Sequence, residues 1–480
     1  MNYRMIKYTL GWLLLFEAIF LTFPAIAAAV FSENAGFAFL ITIGICAAVG
    51  AVGMWKKPKN TTLYSKDGFV IVALSWIVLS IFGSLPFIIS GVTDSFIDAL
   101  FETVSGFTTT GASIFGDVEI LPKSIIVWRS FMHWVGGMGV LVFVMAFLPL
   151  GGAHNMHIMK AESPGPSVSK LVPRVRNTAI ILYTIYIVMT LVQLVMLLFG
   201  GMSFFEAFNT ATSTAGTGGF GFKNDSLASF SPYIQIVVTV FMLLFSINFN
   251  SYYLAIKLRF KDALNTEIRV FAFIVIAAIT VISFDVALAG IFDTVGEAIR
   301  HSAFSVASLI STTGFATADF NVWPGLSKTL LVLIMFIGAC AGSTGGGIKV
   351  SRIVILFKGM KKELGQAIHP RQVKKLTLDS HPIEHEVIRS VNAYIICYIL
   401  IFVSSIALIS FNEYDLVTNF TAVTATLNNI GPGLEMVGPT QNFAHFSIFS
   451  KLVLIFDMLA GRLELFPMLI LFTPRAWKKQ

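Results

Sequence analysis

The stretch Thr108–Ala112 reads Thr-Thr-Thr-Gly-Ala and interrupts a very apolar chain. Similar polar stretches recur later, at Thr217–Phe220, Thr312–Phe315 and, in degenerate form, Asn429–Pro432. Aligning them gives four glycines, at spacings of 107, 96 and 117 residues: Gly111, Gly218, Gly314 and Gly431. A repeat at this nearly constant period predicts four copies of one structural unit.

The composition defines the environment of these units. Hydrophobic residues make up 56% of the 480 residues, charged residues only 12%, and the mean hydropathy is +0.80. Soluble domains carry about 25% charged residues, so the chain is predicted to be a polytopic helical protein of the lipid bilayer. The net charge of +7 indicates lysines and arginines flanking the spans on the cytoplasmic side, not a nucleic-acid interface.

Each unit is predicted to contain a long apolar helix, a short helix, a polar loop and a second long helix. In the first unit the short segment, Ser95–Phe107, has 13 residues, whereas a span needs about 20. It lies between residues 68–90 and the helix Ser124–Leu148. Non-helical backbone at membrane depth must be buried in protein or line a water-filled cavity, so this arrangement indicates a re-entrant hairpin.

The other units repeat the same order after two leading helices, Tyr8–Phe31 and Gly36–Trp55. The first long helices are expected at Ala179–Phe199, Ile268–Phe292 and Val391–Ser410, and the short helices at Phe204–Thr214, Val295–Ile310 and Leu416–Leu427. The second long helices are expected at Tyr233–Leu258, Lys328–Phe357 and Phe446–Phe472. We predict an all-α fold of four pseudo-symmetric helix–pore helix–helix repeats around one central pore, plus the two leading helices. The predicted divisions are residues 1–60, 61–160, 161–262, 263–365 and 366–480. The positive-inside rule then places both termini in the cytoplasm and all four loops outside.

The four loops carry the predicted chemistry. A dehydrated alkali cation needs several oxygens, which rings of backbone carbonyls supply in potassium channels. Glycine adopts the required backbone conformations without a Cβ penalty. The ion-binding candidates are Thr109, Thr110, Gly111, Gly216, Thr217, Gly218, Thr312, Thr313, Gly314, Asn429, Ile430 and Gly431. Ordinary turns are the alternative, but turns do not require four matching copies, each after a half-length helix.

Several further motifs identify a family resemblance. They are Trp128-Arg129-Ser130 with Gly136–Gly139, Lys160–Pro166, Thr217–Phe220, Asn428–Gly433 and Gly461–Glu464. Essentially the whole chain resembles the superfamily of Trk, Ktr and HKT potassium transporters, within it the TrkH-type subunits of bacteria. The resemblance implies a potassium-uptake pore of the inner membrane, active as a homodimer and gated by a cytosolic nucleotide-binding ring of the TrkA type. Glycine at position 111 favours potassium, because some plant relatives with serine there favour sodium.

Five glycines within residues 338–347 interrupt the last helix of the third unit. Each glycine weakens a helix by about 1 kcal/mol relative to alanine, which predicts a break. The predicted gate is an intramembrane loop beneath the filter, as the resemblance also implies: Gly342, Ser343, Thr344, Gly345, Gly346 and Gly347. A small-residue packing face is the alternative.

Arg462 lies inside the last predicted helix, where an arginine costs at least about 2.5–3.5 kcal/mol. Asp457 and Glu464 are candidate partners in a structural salt bridge. The functional interpretation, which the resemblance shares, is a positive barrier below the filter. Elsewhere, Arg129 and His133 face the interior one turn apart, and Glu102 either supports the filter from behind or makes an ordinary hydrogen bond.

The predicted function is potassium uptake through a gated, channel-like pore, with potassium as substrate and no cofactor. A symporter that couples potassium to a proton or sodium is the alternative. A membrane enzyme is disfavoured because no nucleophile–base pair, Walker A motif or metal cluster is evident. The basic segment Lys358–Arg389 is expected to lie near anionic lipid headgroups or to dock the cytosolic ring.

Overall fold

The computed structural model describes residues 1–58, 64–139, 175–371, 375–379 and 381–477. The motif Lys160–Pro166 and the second half of the predicted helix Ser124–Leu148 lie outside these residues. The regular secondary structure of the described chain is almost entirely helical. Its strands are the two-residue pieces Thr377–Leu378 and His381–Pro382, which pair antiparallel as a small hairpin.

The leading helices and the first and short helices of each repeat agree with the sequence prediction. The leading helices are Tyr3–Phe20, continued by Thr22–Val30, and Gly36–Met54. The first helices are Ser65–Gly83, continued by Leu85–Ile89, then Val175–Phe199, Thr266–Leu288 and His385–Ile409. The short helices are Phe96–Phe107, Phe204–Gly216, Val295–Ile310 and Leu416–Leu427. The all-α fold with four pseudo-symmetric repeats is therefore confirmed, while the numbered divisions between repeats stay a prediction.

Six described helical runs are long and apolar enough to cross a membrane. They are the two leading runs and the four first helices: Tyr3–Val30, Gly36–Met54, Ser65–Ile89, Asn177–Phe199, Thr266–Leu288 and His385–Asn412. The chain is thus a multi-pass membrane protein, and its last helices behave differently.

The last helix is broken in the second, third and fourth repeats. The pieces are Pro232–Phe245 with Phe249–Ile256, bent by 92°, Gly325–Ile337 with Val350–Ile368, and Ile448–Arg462 with Phe466–Leu471. In the first repeat the described part is Lys123–Gly137. Continuous helices over Tyr233–Leu258 and Phe446–Phe472 were wrong predictions. Asn248 caps a new helix by accepting from the Asn250 amide at 2.9 Å, and Leu465 has φ 65°.

Short connecting helices complete the described chain. They are Phe260–Ala263 and the 3₁₀ turns Phe320–Val322, Ser410–Asn412, Glu435–Val437 and Pro474–Trp477.

The four short helices lie in the core and begin with side-chain caps. Ser95, Ser203, Thr294 and Asp415 each accept a hydrogen bond from the amide three residues later, which satisfies a donor that the helix leaves free. The final turns of all four helices are buried. The caps fix where each short helix starts, and its length then sets the depth at which its polar loop emerges.

Candidate functional site

Each short helix ends in the same hydrogen-bond pattern. The amides of Thr110, Gly218, Thr313 and Ile430 donate to carbonyls five residues earlier, at 2.9, 2.9, 2.8 and 2.8 Å. The residue before each of them is left-handed: Thr109, Thr217, Thr312 and Asn429, with φ of 56°, 55°, 59° and 55°. This is a Schellman ending in which threonine or asparagine stands where glycine is usual. A left-handed non-glycine residue costs roughly 1–2 kcal/mol.

The next left-handed residue in every loop is a glycine two positions later. These glycines are Gly111, Gly219, Gly314 and Gly431, with φ of 81°, 76°, 86° and 100°. The sequence alignment chose Gly218 for the second loop, and the backbone shows that this register was wrong by one residue. Gly218 instead occupies the place of Thr110, Thr313 and Ile430. The doublet Gly218-Gly219 is ambiguous in sequence, and only the backbone angles separate its members.

Each of the four glycines packs against a backbone carbonyl of the next loop, and these contacts form a closed cycle. A Cβ on Gly111 would come closer than 3.0 Å to the Gly218 carbonyl oxygen, and one on Gly219 equally close to that of Thr313. A Cβ on Gly314 would meet the Ile430 oxygen, and one on Gly431 the Thr110 oxygen, within the same limit. Each loop therefore touches the next in chain order, and the fourth touches the first. We call residues 109–111, 217–219, 312–314 and 429–431 the four-loop ring.

A buried ion pair lies behind the first two loops. Arg129 Nε and Glu102 Oε1 are 2.7 Å apart, with side chains 1% and 0% exposed. Glu102 Oε2 accepts from the Ile114 amide at 3.0 Å, and Arg129 Nη1 donates to the Gly221 carbonyl at 3.2 Å. The pair thus links the chain leaving loop one to the chain leaving loop two.

His133 lies behind the second loop and contacts it directly. Its ring stacks on Phe220 with centroids 4.3 Å apart. A Cβ on Gly218 would clash with the His133 ring. Glycine at this position is therefore explained by the close approach of His133 to the loop.

The break in the third repeat forms a loop against the ring. We call residues 338–349 the glycine-rich loop; it contains Gly342, Ser343, Thr344, Gly345, Gly346 and Gly347. The Gly346 amide donates to Thr312 Oγ1 at 2.6 Å. A Cβ on Gly345 would lie 2.8 Å from the Ser311 carbonyl oxygen, and one on Gly346 would clash with that of Asn428. The loop therefore packs on the ring from the side of the short-helix ends.

Arg462 bridges this loop to the first repeat. Its Nη1 donates to the Thr344 carbonyl at 2.8 Å, and its Nη2 to the Gly136 and Gly137 carbonyls at 2.5 and 2.7 Å. Of the two carboxylates considered from sequence, Glu464 pairs with Arg352 and Asp457 accepts from Ser405 Oγ at 2.7 Å. Arg462 thus contacts the glycine-rich loop that was predicted from sequence to work with it.

Cavities lie on both sides of the ring. One is lined by the ring glycines Gly111, Gly219, Gly314 and Gly431 and by further residues that include Phe443. The other is lined by Gly345, Gly346, Gly347, Lys349, Arg462 and Trp76, among others. The ring and the glycine-rich loop therefore lie in series between the two cavities.

Sequence reasoning missed three residues at this site. They are Gly219, Lys349, whose Nζ donates to the Gly345 carbonyl inside the loop, and Glu267, which accepts from the loop amide of Ala341 at 2.7 Å. A signal existed for Lys349, because a charge two residues after the glycine run Gly345–Gly347, in an apolar segment, is unusual. The sequence contains no such signal for Glu267, because an acidic residue in the first turn of a helix is common.

Four re-entrant loops that meet within one membrane-spanning chain define a class, the pore-loop transport proteins. Within it, the family model TrkH, described as cation transport protein, matches residues 35–479, and the chain belongs to this family. It is 35% identical to the Trk system potassium uptake protein TrkH of Salmonella typhimurium, over 100% of both chains. It is 34% identical to TrkG of Escherichia coli, over 99% of both.

The fold agrees with a solved structure of the same family. The crystal structure of the potassium transporter TrkH from Vibrio parahaemolyticus superimposes with a TM-score of 0.90 at 34% identity, covering 100% of both chains.

Proposed function

We propose that this chain takes up potassium across a bacterial inner membrane through one gated, channel-like pore, with the four-loop ring as its selectivity filter. The observation that carries the proposal is the closed cycle in which each ring glycine packs on a carbonyl of the next loop. The names of the relatives, potassium uptake proteins, support potassium as the substrate.

The ring suits a dehydrated cation because the sign of φ alternates along each loop. In each loop a residue with positive φ, a residue without and a glycine with positive φ follow one another. This alternation turns successive carbonyls toward the same side, so that they can replace the water of an ion. The negative ends of four short-helix dipoles converge on the same region and favour a cation. The filter residues are those named for the ring. In the second loop they are Thr217, Gly218 and Gly219 instead of the predicted Gly216, Thr217 and Gly218, because Gly216 is the last residue of the short helix.

The glycine-rich loop and Arg462 form the proposed gate beneath this filter. The loop fills the space against Thr312 and Asn428, and Arg462 adds a positive charge between loop and first repeat. At an effective dielectric constant of 20, two like charges about 4 Å apart repel by about 4 kcal/mol. The gate therefore opposes cation passage in two ways: the loop occupies the space beneath the filter, and Arg462 repels positive charge.

The proposal extends to orientation and partners. Both termini face the cytoplasm, and potassium moves inward with the membrane potential, which contributes about 2.3 kcal/mol per charge per 100 mV. The active form is a homodimer opened by a cytosolic nucleotide-binding subunit of the TrkA type. The words "Trk system" in the relatives' names fit a protein with several components.

Potassium influx into reconstituted vesicles tests this function. Vesicles that contain the protein should accumulate potassium under an inside-negative potential, and excess external sodium should compete weakly. Influx equal to that of protein-free vesicles, or faster sodium than potassium influx, would contradict the proposal.

A further inference from the structure

A carboxylate from another helix binds one amide within the glycine-rich loop and one in the first turn of the helix that follows it. Glu267 lies in the first turn of Thr266–Leu288 and is 6% exposed. Its Oε1 accepts from the Ala341 amide at 2.7 Å and from the Ser351 amide at 3.0 Å. Residues 341 and 351 bracket the segment that contacts the ring, so one oxygen fixes where this segment begins and ends.

Glu267 also replaces a missing cap. The helix Val350–Ile368 follows the loop, and its N-cap residue, Lys349, makes no side-chain cap. The first amides of a helix have no partner within it, and a carboxylate there is also favoured by the helix dipole. Glu267 supplies this acceptor from outside, so the start of the helix and the position of the loop depend on it.

Thr266, the residue before Glu267, connects the first turn of this helix to the small hairpin Thr377–Leu378 and His381–Pro382. We call the two hydrogen bonds that Glu267 accepts the Glu267 clamp. Asp379 Oδ1 accepts from Thr266 N at 2.7 Å and from Thr266 Oγ1 at 2.6 Å. Asp379 is exposed and lies between the hairpin strands Thr377–Leu378 and His381–Pro382. Lys358, on the helix that follows the loop, donates to the Thr377 carbonyl at 2.8 Å. The hairpin is therefore bonded to both helices that Glu267 joins.

We propose that Glu267 is a positioning residue that holds the glycine-rich loop against the ring, and that the hairpin sets the position of Glu267 through the Asp379–Thr266 contact. This inference rests on the proposed function of the loop as a gate. It identifies the hairpin as the part of the chain on which a cytosolic partner acts. A partner that moves the hairpin shifts the first turn of Thr266–Leu288 and weakens the hydrogen bonds from the amides of Ala341 and Ser351 to Glu267.

The test compares four variants of the full chain in vesicles. Glu267→Ala should raise basal potassium flux on the order of tenfold, as expected when charge-assisted hydrogen bonds are lost. Glu267→Gln, which keeps a neutral acceptor, should fall between this variant and the wild type. Asp379→Ala should raise flux in the same direction. Asp262→Ala is the matched control, because Asp262 pairs with exposed Arg259 and should leave flux unchanged.

A second measurement separates positioning from general loosening of the fold. In a Cys46→Ala, Cys397→Ala background the remaining thiol is Cys340, which is buried beside Ala341. Glu267→Ala and Asp379→Ala should speed its reaction with a water-soluble maleimide, and Asp262→Ala should not. Adding Glu267→Ala to a chain that already lacks Gly345–Gly347 should raise flux no further.

The outcomes distinguish the inference from the proposed function. If removal of Gly345–Gly347 raises flux but Glu267→Ala and Asp379→Ala change neither flux nor Cys340 labelling, the clamp is overturned and the gate stands. If removal of Gly345–Gly347 leaves flux unchanged, the gate itself is overturned. If Glu267→Ala does not fold, Glu267→Gln and the exposed-site variant Asp379→Ala decide by the same two readouts.

Discussion

At the residue scale, the ring needs glycine at four positions and tolerates a side chain at four strained positions before them. Its glycines are needed because a side chain at Gly111, Gly219, Gly314 or Gly431 would strike a carbonyl of the adjacent loop. The left-handed residues before them are Thr109, Thr217, Thr312 and Asn429, which accept backbone strain and carry hydroxyl or amide groups. Thr312 uses its hydroxyl to hold Gly346 of the glycine-rich loop. Thr312 therefore joins the proposed filter to the proposed gate.

Gly111→Ser should lower potassium-over-sodium selectivity. The new Cβ would collide with the Gly218 carbonyl oxygen, and φ 81° is unfavourable for serine, so the ring must open or distort. Ion competition in vesicles measures the ratio. Gly116→Ser is the control, because its Cβ would lie at ordinary contact distance, 3.5 Å, from Asn442. Equal selectivity in Gly111→Ser and wild type would show that the glycine cycle does not shape the filter.

Arg462→Ala should speed cation permeation. The change removes a positive charge and three hydrogen bonds that hold Thr344, Gly136 and Gly137, so charge and loop both oppose the ion less. Potassium flux in vesicles measures the effect, and Arg259→Ala, at an exposed pair, serves as control. A folded Arg462→Ala protein with slower flux would refute the barrier.

Glu102→Ala should strongly destabilise the protein. It leaves Arg129 buried without its carboxylate, and such a loss costs about 3–5 kcal/mol. Asp262→Ala removes an exposed pair, with side chains 65% and 51% exposed, and should cost about 0–1 kcal/mol. Thermal inactivation in detergent compares the two. Similar inactivation temperatures would mean that the Glu102–Arg129 pair does not hold the two loop exits.

At the scale of helices, the broken last helices are the feature that sequence reasoning largely missed. The glycines of residues 338–347 revealed the break in the third repeat. The break between Phe245 and Phe249 contains neither glycine nor proline, so no local signal predicted it. It is stabilised by the glycine-rich loop, since Cys340 N donates to Ser246 O at 3.0 Å and Phe249 N to Gly342 O at 3.0 Å. Such a tertiary cause cannot be read from the segment alone.

The short helices were predictable because their signals are local. Val295–Ile310 and Leu416–Leu427 were predicted with the bounds that the structure has, each after a capping residue, Thr294 or Asp415. The ring register was less predictable: Gly218 and Gly219 differ only in backbone hand. The pairing of Glu102 with Arg129 was also not specified, because 27 residues separate them and sequence spacing does not encode such contacts.

Deleting Gly345–Gly347 should raise basal cation flux. These residues contact Ser311, Thr312 and Asn428. A shorter loop therefore uncovers the face of the ring at the ends of the short helices. Vesicle flux at matched protein density, with size-exclusion chromatography to confirm folding, is the measurement. Unchanged or lower flux in a well-folded deletion variant would count against a gate.

At the scale of the whole molecule, one chain forms a fourfold pseudo-symmetric arrangement from four repeats whose loops make different contacts. The first and second loops share the ion pair Glu102–Arg129, whereas the third and fourth lie against the glycine-rich loop. One side of the ring is thus braced by an ion pair, and the other lies against the proposed gate. A chain with unequal repeats can carry one copy of such a loop, whereas four identical subunits would carry four copies.

The reversal potential of the reconstituted protein tests the central claim most directly. Current would be measured under separate gradients of potassium, sodium and pH. A channel-like pore predicts that the potential follows the potassium gradient and does not move when pH or sodium alone differs across the membrane. A potential that shifts with a pH gradient at constant potassium would contradict the account and indicate a proton-coupled symporter. A strong shift with a sodium gradient would contradict it as well, either through sodium coupling or through loss of potassium selectivity.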